Sequence, residues 1–372
     1  MNQANSASSL QKIHRYQCPG CSADLVFEPR DGCLSCPYCG RREPIPASAA
    51  EVQERSYEEY LKLRPEQLKP ISADALEVQC SGCGTTVSFM PPEVAGDCPF
   101  CAAKIVAQPQ VAHPMLAPEG VLPFRITQRQ AADGIKAWLA SRWFAPNALV
   151  QLAKQEMASS VYLPFWTYDV YAITHYSGQR GEHYWETESY VDTDGQGRRM
   201  TCTRQVRKTR WYPASGTVER WFDDILLTAT KSVSPARLAT LEPWDLGELK
   251  PYQPAYVVGH KAQRYQLEMA EGFEEVKAIM APVIENDVRN DIGGDEQRIH
   301  RIAKTYSGIT FKHLLLPVWI GAYRFQSKIY QVLVNARTGE VQGERPYSPV
   351  KIVGFVLLLI LVGLVLIYLS EQ

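Results

Sequence analysis

Hydrophobic and polar positions divide the chain into several kinds of segment. Residues 352–369, IVGFVLLLILVGLVLIYL, run for eighteen positions without a charge or a proline. That is close to the roughly 20 residues, at 1.5 Å each, that cross a hydrocarbon core. Being apolar all round, the run lacks the polar face of a globular helix, and it predicts a transmembrane helix over 350–369. Two other stretches carry apolar residues at helical spacing, 126–144 and 268–292. Thr127 is set to cap the first of them, with Gln130 three residues on.

Strand patterns surround these helices. VYLPFWTYDVY (161–171) and LLLPVWIGAYRF (314–325) both read Leu-Pro-x-Trp and then alternate aromatic and polar residues. Alternation predicts strands, with proline at the entry, where a missing donor costs little. Residues 189–222 predict a hairpin turning at Asp194 to Gly197. Each Leu-Pro-x-Trp landmark follows a helical pattern. The body, 111–348, is therefore expected to be α+β with an antiparallel sheet, built by internal duplication.

At the amino end two short apolar runs, DLVFEP (24–29) and TVSFMP (86–91), are each framed by cysteine pairs. Cys18, Cys21, Cys36 and Cys39 form one set, and Cys80, Cys83, Cys98 and Cys101 the other, both with fourteen residues between the pairs. Two CxxC turns supply the four soft thiolates that tetrahedral zinc takes. The amino-terminal segment lacks the apolar stretch of a secretory signal, so the thiols are expected to stay reduced and ligate metal rather than pair as disulfides. The runs between the pairs are too short to bury a core of their own. Two zinc ribbons with one structural zinc each are expected, at 1–45 and 77–110, separated by a linker with a short helix at 46–76. Replacing Cys36 and Cys39 together is expected to unfold that ribbon alone. Cys33 and Cys202 have no matching partner and read as bystanders.

Charge narrows the partners. The whole chain carries 39 Lys and Arg against 40 Asp and Glu, so no global basic field draws it to nucleic acid. Residues 1–109 hold ten basic and thirteen acidic side chains, and two tetrathiolate zinc sites would bring that region to about −7. The one basic stretch with aromatics lies in the 189–222 hairpin. There Arg204, Arg207, Lys208 and Arg210 are candidate contacts for anionic lipid or nucleic acid. Asp192 and Asp194 open like a calcium loop, but Thr203 stands where the twelfth-position glutamate belongs. No phosphate loop, zinc-protease helix or nucleophile elbow is present, and His183, His260, His300 and His313 are scattered. An enzyme is not expected.

The ribbons, the Leu316-Pro317-Val318-Trp319 landmark, the Asn335–Gly343 turn region and the apolar end together resemble bacterial YdjG-like zinc-ribbon membrane proteins, some of which carry the label of the primosomal helicase PriA. The resemblance implies a membrane-bound adaptor encoded with envelope-stress proteins, with a PspA-like remodeller or an SPFH-domain protein as partner. The expectation is a tail-anchored, single-pass protein of the bacterial inner membrane with its body in the cytoplasm, a non-catalytic adaptor whose zinc ribbons and cytosolic body dock protein partners. Its alternative is a membrane-tethered nucleic-acid binder using the basic hairpin.

Overall fold

A computed structural model describes residues 16–46, 48, 51–62, 76–89, 95–106, 110–111, 116–144, 158–193, 195–325 and 328–370. Asp194, residues 1–15, most of the linker beyond Lys62, and parts of the second ribbon lie outside them. In chain order the first ribbon contributes β1 (Val26–Glu28), β2 (Cys33–Ser35) and β3 (Arg42–Glu43). The linker gives β4 (Arg55–Ser56) and the four-residue α1 (Tyr57–Tyr60), capped by Ser56. The second ribbon gives β5 (Leu76–Gln79), β6 (Thr86–Phe89), β7 (Ala95–Asp97) and β8 (Lys104–Val106).

The body follows with β9 (Gln110–Val111), β10 (Gly120–Val121), α2 (Gln128–Ala140), β11 (Ala158–Thr193), β12 (Arg199–Thr228), α3 (Pro235–Ala239), β13 (Lys250–Pro251) and β14 (Lys261–Gln263). It ends with α4 (Met269–Ile292), β15 (Glu296–Phe325), β16 (Lys328–Asn335), β17 (Val341–Gly343) and α5 (Pro349–Ser370). The fold is mixed α+β and mostly sheet. Thr127 and Gln130 form the expected capping box at the start of α2.

Three strands dominate. β11 runs 36 residues and pairs antiparallel with β12 on one side and β15 on the other. At about 3.3 Å per residue its path is roughly 120 Å long, several times a usual strand. Between Val161 and Val170 every residue is buried, because α4 and the ribbons pack the sheet there. Buried residues of α4 recur at Val276, Met280, Ile284 and Val288, the four-residue spacing that makes one apolar stripe.

The two Leu-Pro-x-Trp landmarks lie side by side, with Leu163 opposite Leu316. Their likeness has physical content. Pro164 and Pro317 lack a donor, but their carbonyls accept the N–H groups of Ala229 and Ala336 at 2.9 and 3.1 Å. The indole N–H of Trp166 donates to the Leu267 carbonyl at 2.9 Å, and that of Trp319 to the Ile126 carbonyl at 2.8 Å. Each tryptophan thus ties the sheet to the chain just ahead of a helix, α4 for one and α2 for the other.

The turn after β16 is structural. The Asn335 side chain donates to the Leu241 carbonyl at 2.8 Å and accepts from the N–H groups of Arg337 and Thr338. Arg337, nearly buried, bonds to Asp245 and to the Pro123 carbonyl.

Candidate metal centres and the projecting hairpin

All four CxxC turns close in the same way. In each, the N–H of the first cysteine donates to the carbonyl five residues on, and the residue after the second cysteine donates back to the first cysteine's carbonyl. That last residue, Ser22, Gly40, Gly84 or Ala102, takes a positive φ. Glycine adopts this region freely and explains two of the four choices.

The turns bring the thiols together in two tetrads, in each of which the Sγ atoms lie within 4.8 Å of one another. Cys18 and Cys39 are 3.5 Å apart, as are Cys21 and Cys36; Cys80 and Cys101 are 3.6 Å apart, and Cys83 and Cys98 3.7 Å. Tetrahedral metal with bonds of about 2.3 Å to sulfur requires separations of about 3.8 Å. The four sulfurs of each set therefore fit one ion. Backbone N–H groups favour thiolates: that of Gly20 lies 3.4 Å from Cys18 Sγ and lowers its pKa, and that of Cys39, with Tyr38 adding to it, pulls Cys36 down to about 6. Each tetrad could hold one metal ion.

The ribbons are not free-standing. Cys18, Leu25, Phe27, Leu34 and Cys36 belong to one buried cluster with Phe124, Tyr162, Val257 and Trp319 of the body. The Phe27 N–H donates to the Val258 carbonyl at 3.1 Å. Cys80, Cys98, Phe100 and Cys101 share a second cluster with Leu122, Val161, Leu163 and Val318. β6 pairs antiparallel with β14, so the second ribbon extends the body sheet. The linker is fastened as well. β4 pairs with β15, Arg55 forms an ion pair with Glu119, and Lys312 Nζ lies 2.7 Å from Asp224 and 3.1 Å from Glu54. Burial pushes Glu119 up to about 7 and Asp169, beside Lys312, up to about 6.

These polar residues carried no local signal in the sequence, because Glu54, Asp169, Asp224 and Lys312 come from four distant segments. The histidines do not gather into a site among the described residues. His183 bonds to Glu296 at 2.7 Å, and His313 to the Leu116 carbonyl at 3.0 Å. His300 is exposed. His260 is buried against Phe124, rings stacked 4.2 Å apart, with neither ring nitrogen partnered. Cys33 begins β2 and Cys202 lies opposite Tyr190 on β12, both away from the tetrads.

Beyond Gly181 and Glu296, where β15 stops pairing with β11, β11 and β12 continue as a two-stranded ribbon to Thr193 and Arg199. The expected basic residues lie here, on two different faces. Arg204, Lys208 and Arg210 share one face with Glu182, Glu186, Glu188, Tyr184 and Tyr190, as the cross-strand register requires. Lys208 bonds to Glu186 at 2.7 Å and Glu188 at 2.9 Å, Arg204 to Glu188 at 3.4 Å, and Arg210 lies over the Tyr184 ring. Arg207 is on the other face with Thr187, Thr203, Gln205, Trp185 and Val191. Trp185 is 66% exposed and Val191 64%.

What these features define is a mixed α+β protein that has, among the described residues, two cysteine tetrads able to hold metal and one helix, α5, long and apolar enough to cross a membrane. Compared with known proteins, the chain is similar to the uncharacterized protein YdjG of Bacillus subtilis (strain 168), 25% identical over 347 residues that cover 91% of this chain and 92% of the relative. That extent supports a YdjG-like family. No family model and no solved structure matches.

Proposed function

We propose that the protein is a non-catalytic adaptor, tail-anchored in the bacterial inner membrane with its body in the cytoplasm, and that it docks protein partners through the projecting hairpin. The observation that carries this reading is a sheet segment with neither face covered among the described residues. Two-stranded ribbons gain little from folding alone, and an exposed Trp185 and Val191 gain burial only when something covers them. On this reading the two metals are structural zinc, and they weld the ribbons to the body instead of presenting them as separate docking modules. The resemblance to YdjG-like proteins suggests a PspA-like or SPFH-domain partner.

The nucleic-acid alternative is weaker because three of the four basic candidates already face glutamates or a tyrosine within the hairpin. Phosphate would have to displace those pairs. The test is affinity purification from detergent-solubilised membranes, comparing the full chain with a variant whose residues 184–208 are replaced by an Asn-Gly turn between His183 and Thr209, which already face each other. Proteins retained by the full chain and lost from the variant support the adaptor reading. Unchanged protein recovery, or nucleic acid alone, contradicts it.

A further inference from the structure

The chain segment after α2 runs onto the first turns of α5. The Ser348 N–H donates to the Phe144 carbonyl at 2.8 Å, and Lys351 Nζ donates to the Trp143 carbonyl at 3.0 Å. Both aromatic rings meet Phe355 edge-on, Phe144 at 5.5 Å and Trp143 at 6.2 Å between centroids. Phe355 is six residues into the helix, about 9 Å down its axis from Pro349. Contacts from the body therefore reach to the depth where a span passes from headgroups to acyl chains.

The surrounding chemistry suits that boundary. Trp143 is 69% exposed and Tyr347 60%, and amphipathic rings of this kind are the residues enriched at membrane interfaces. Arg142 lies over the Trp138 ring and Arg345 over the Tyr347 ring. No carboxylate among the described residues ion-pairs with either arginine, whereas nearby Glu344 is taken by Arg237. Lys351, which donates to the Trp143 carbonyl, adds a third cation at the entry of the helix, and cations beside a span attract anionic headgroups.

We propose that Arg142, Trp143, Arg345, Tyr347 and Lys351 form a second membrane contact, an interfacial collar that binds anionic phospholipid headgroups and fixes the orientation of the body relative to the bilayer. The inference rests on the membrane-anchor reading of α5 and goes beyond it, since a span alone leaves the body free to swivel. With the collar seated, the direction in which the hairpin projects is set as well.

The test uses the full-length protein reconstituted into phosphatidylcholine vesicles with or without phosphatidylglycerol, with brominated lipid as quencher. Carbonate extraction first establishes insertion. The expected result is a bromolipid-quenched tryptophan component that is lost in Trp143→Phe, and a slowing of a spin label at Cys202 on adding phosphatidylglycerol that is lost in Arg142→Gln/Arg345→Gln. Inserted protein with equal quenching in wild type and Trp143→Phe overturns the collar while leaving the anchor intact. Label mobility indifferent to phosphatidylglycerol overturns its lipid preference. Protein stripped by carbonate overturns anchor and collar together.

Discussion

Phe27→Ala tests whether the first ribbon is a module or part of the body. Phe27 is only 3% exposed, and its ring meets Tyr256 at 5.8 Å and His260 at 6.0 Å, both body residues. Removing a buried phenyl group from a packed site costs about 3–5 kcal/mol, transfer and cavity terms together. If that loss falls on the common core, it should lower the midpoint of the body's transition by about 2 °C per kcal/mol, or roughly 6–10 °C. The assay is thermal unfolding of the full chain in detergent followed by tryptophan fluorescence, to which buried Trp319 of the same cluster contributes. Metal content measured in parallel should be unchanged, because no ligand is altered. A body transition at the wild-type temperature, with only the ribbon loosened, would refute the shared core.

Other outcomes follow from the same geometry. Cys36→Ser/Cys39→Ser should release about one metal ion per chain and also lower the body's melting transition, where a self-contained ribbon would unfold by itself; metal analysis and calorimetry read both. His260→Leu should flatten the acid limb of stability. Burial pushes His260 down to about 3, well below the ordinary imidazole range, so the unfolded chain binds a proton that the folded one refuses. The folded state therefore loses stability as pH falls through 6.5 toward 3. The stability of the variant relative to wild type should rise as pH falls from 7 to 5 in denaturant titrations, and a constant difference would contradict the assignment. Deleting residues 352–369 should move the protein to the soluble fraction, and carbonate-resistant association of the deleted form would show that the anchor lies elsewhere.

The cysteine tetrads were legible because their signal is local: each CxxC turn closes within six residues, and a repeated fourteen-residue gap marks the two halves of each set. The helix capped by Thr127 and the apolar α5 were legible for the same reason, from periodicity and length. Strand extent was not. The aromatic alternation suggested strands of about ten residues, but β11 continues to Thr193 because its glycines permit the continuation. Gly178 sits at a register shift where a Cβ would collide with the Arg298 carbonyl oxygen, so the glycine accommodates a bulge that reads as a break in sequence.

Ribbon docking was hidden as well. Phe27 meets Val258, and Cys98 shares a core with Val318, across more than 200 residues of chain, and no spacing rule connects such positions. The basic run of 204–210 was visible, but its neutralisation was not, since the glutamates that answer it lie on the opposite strand. Strand register, absent from a linear reading, decided which face each arginine occupies.

The most direct measurement of the docking claim is photo-crosslinking from the hairpin in native membranes. A photoreactive amino acid replaces Trp185 in one variant and exposed His300, outside the hairpin, in another, and adducts are identified by mass spectrometry. The account predicts a discrete protein adduct from position 185 that is absent from position 300. Adducts with nucleic acid, or the same proteins captured from both positions, would contradict it.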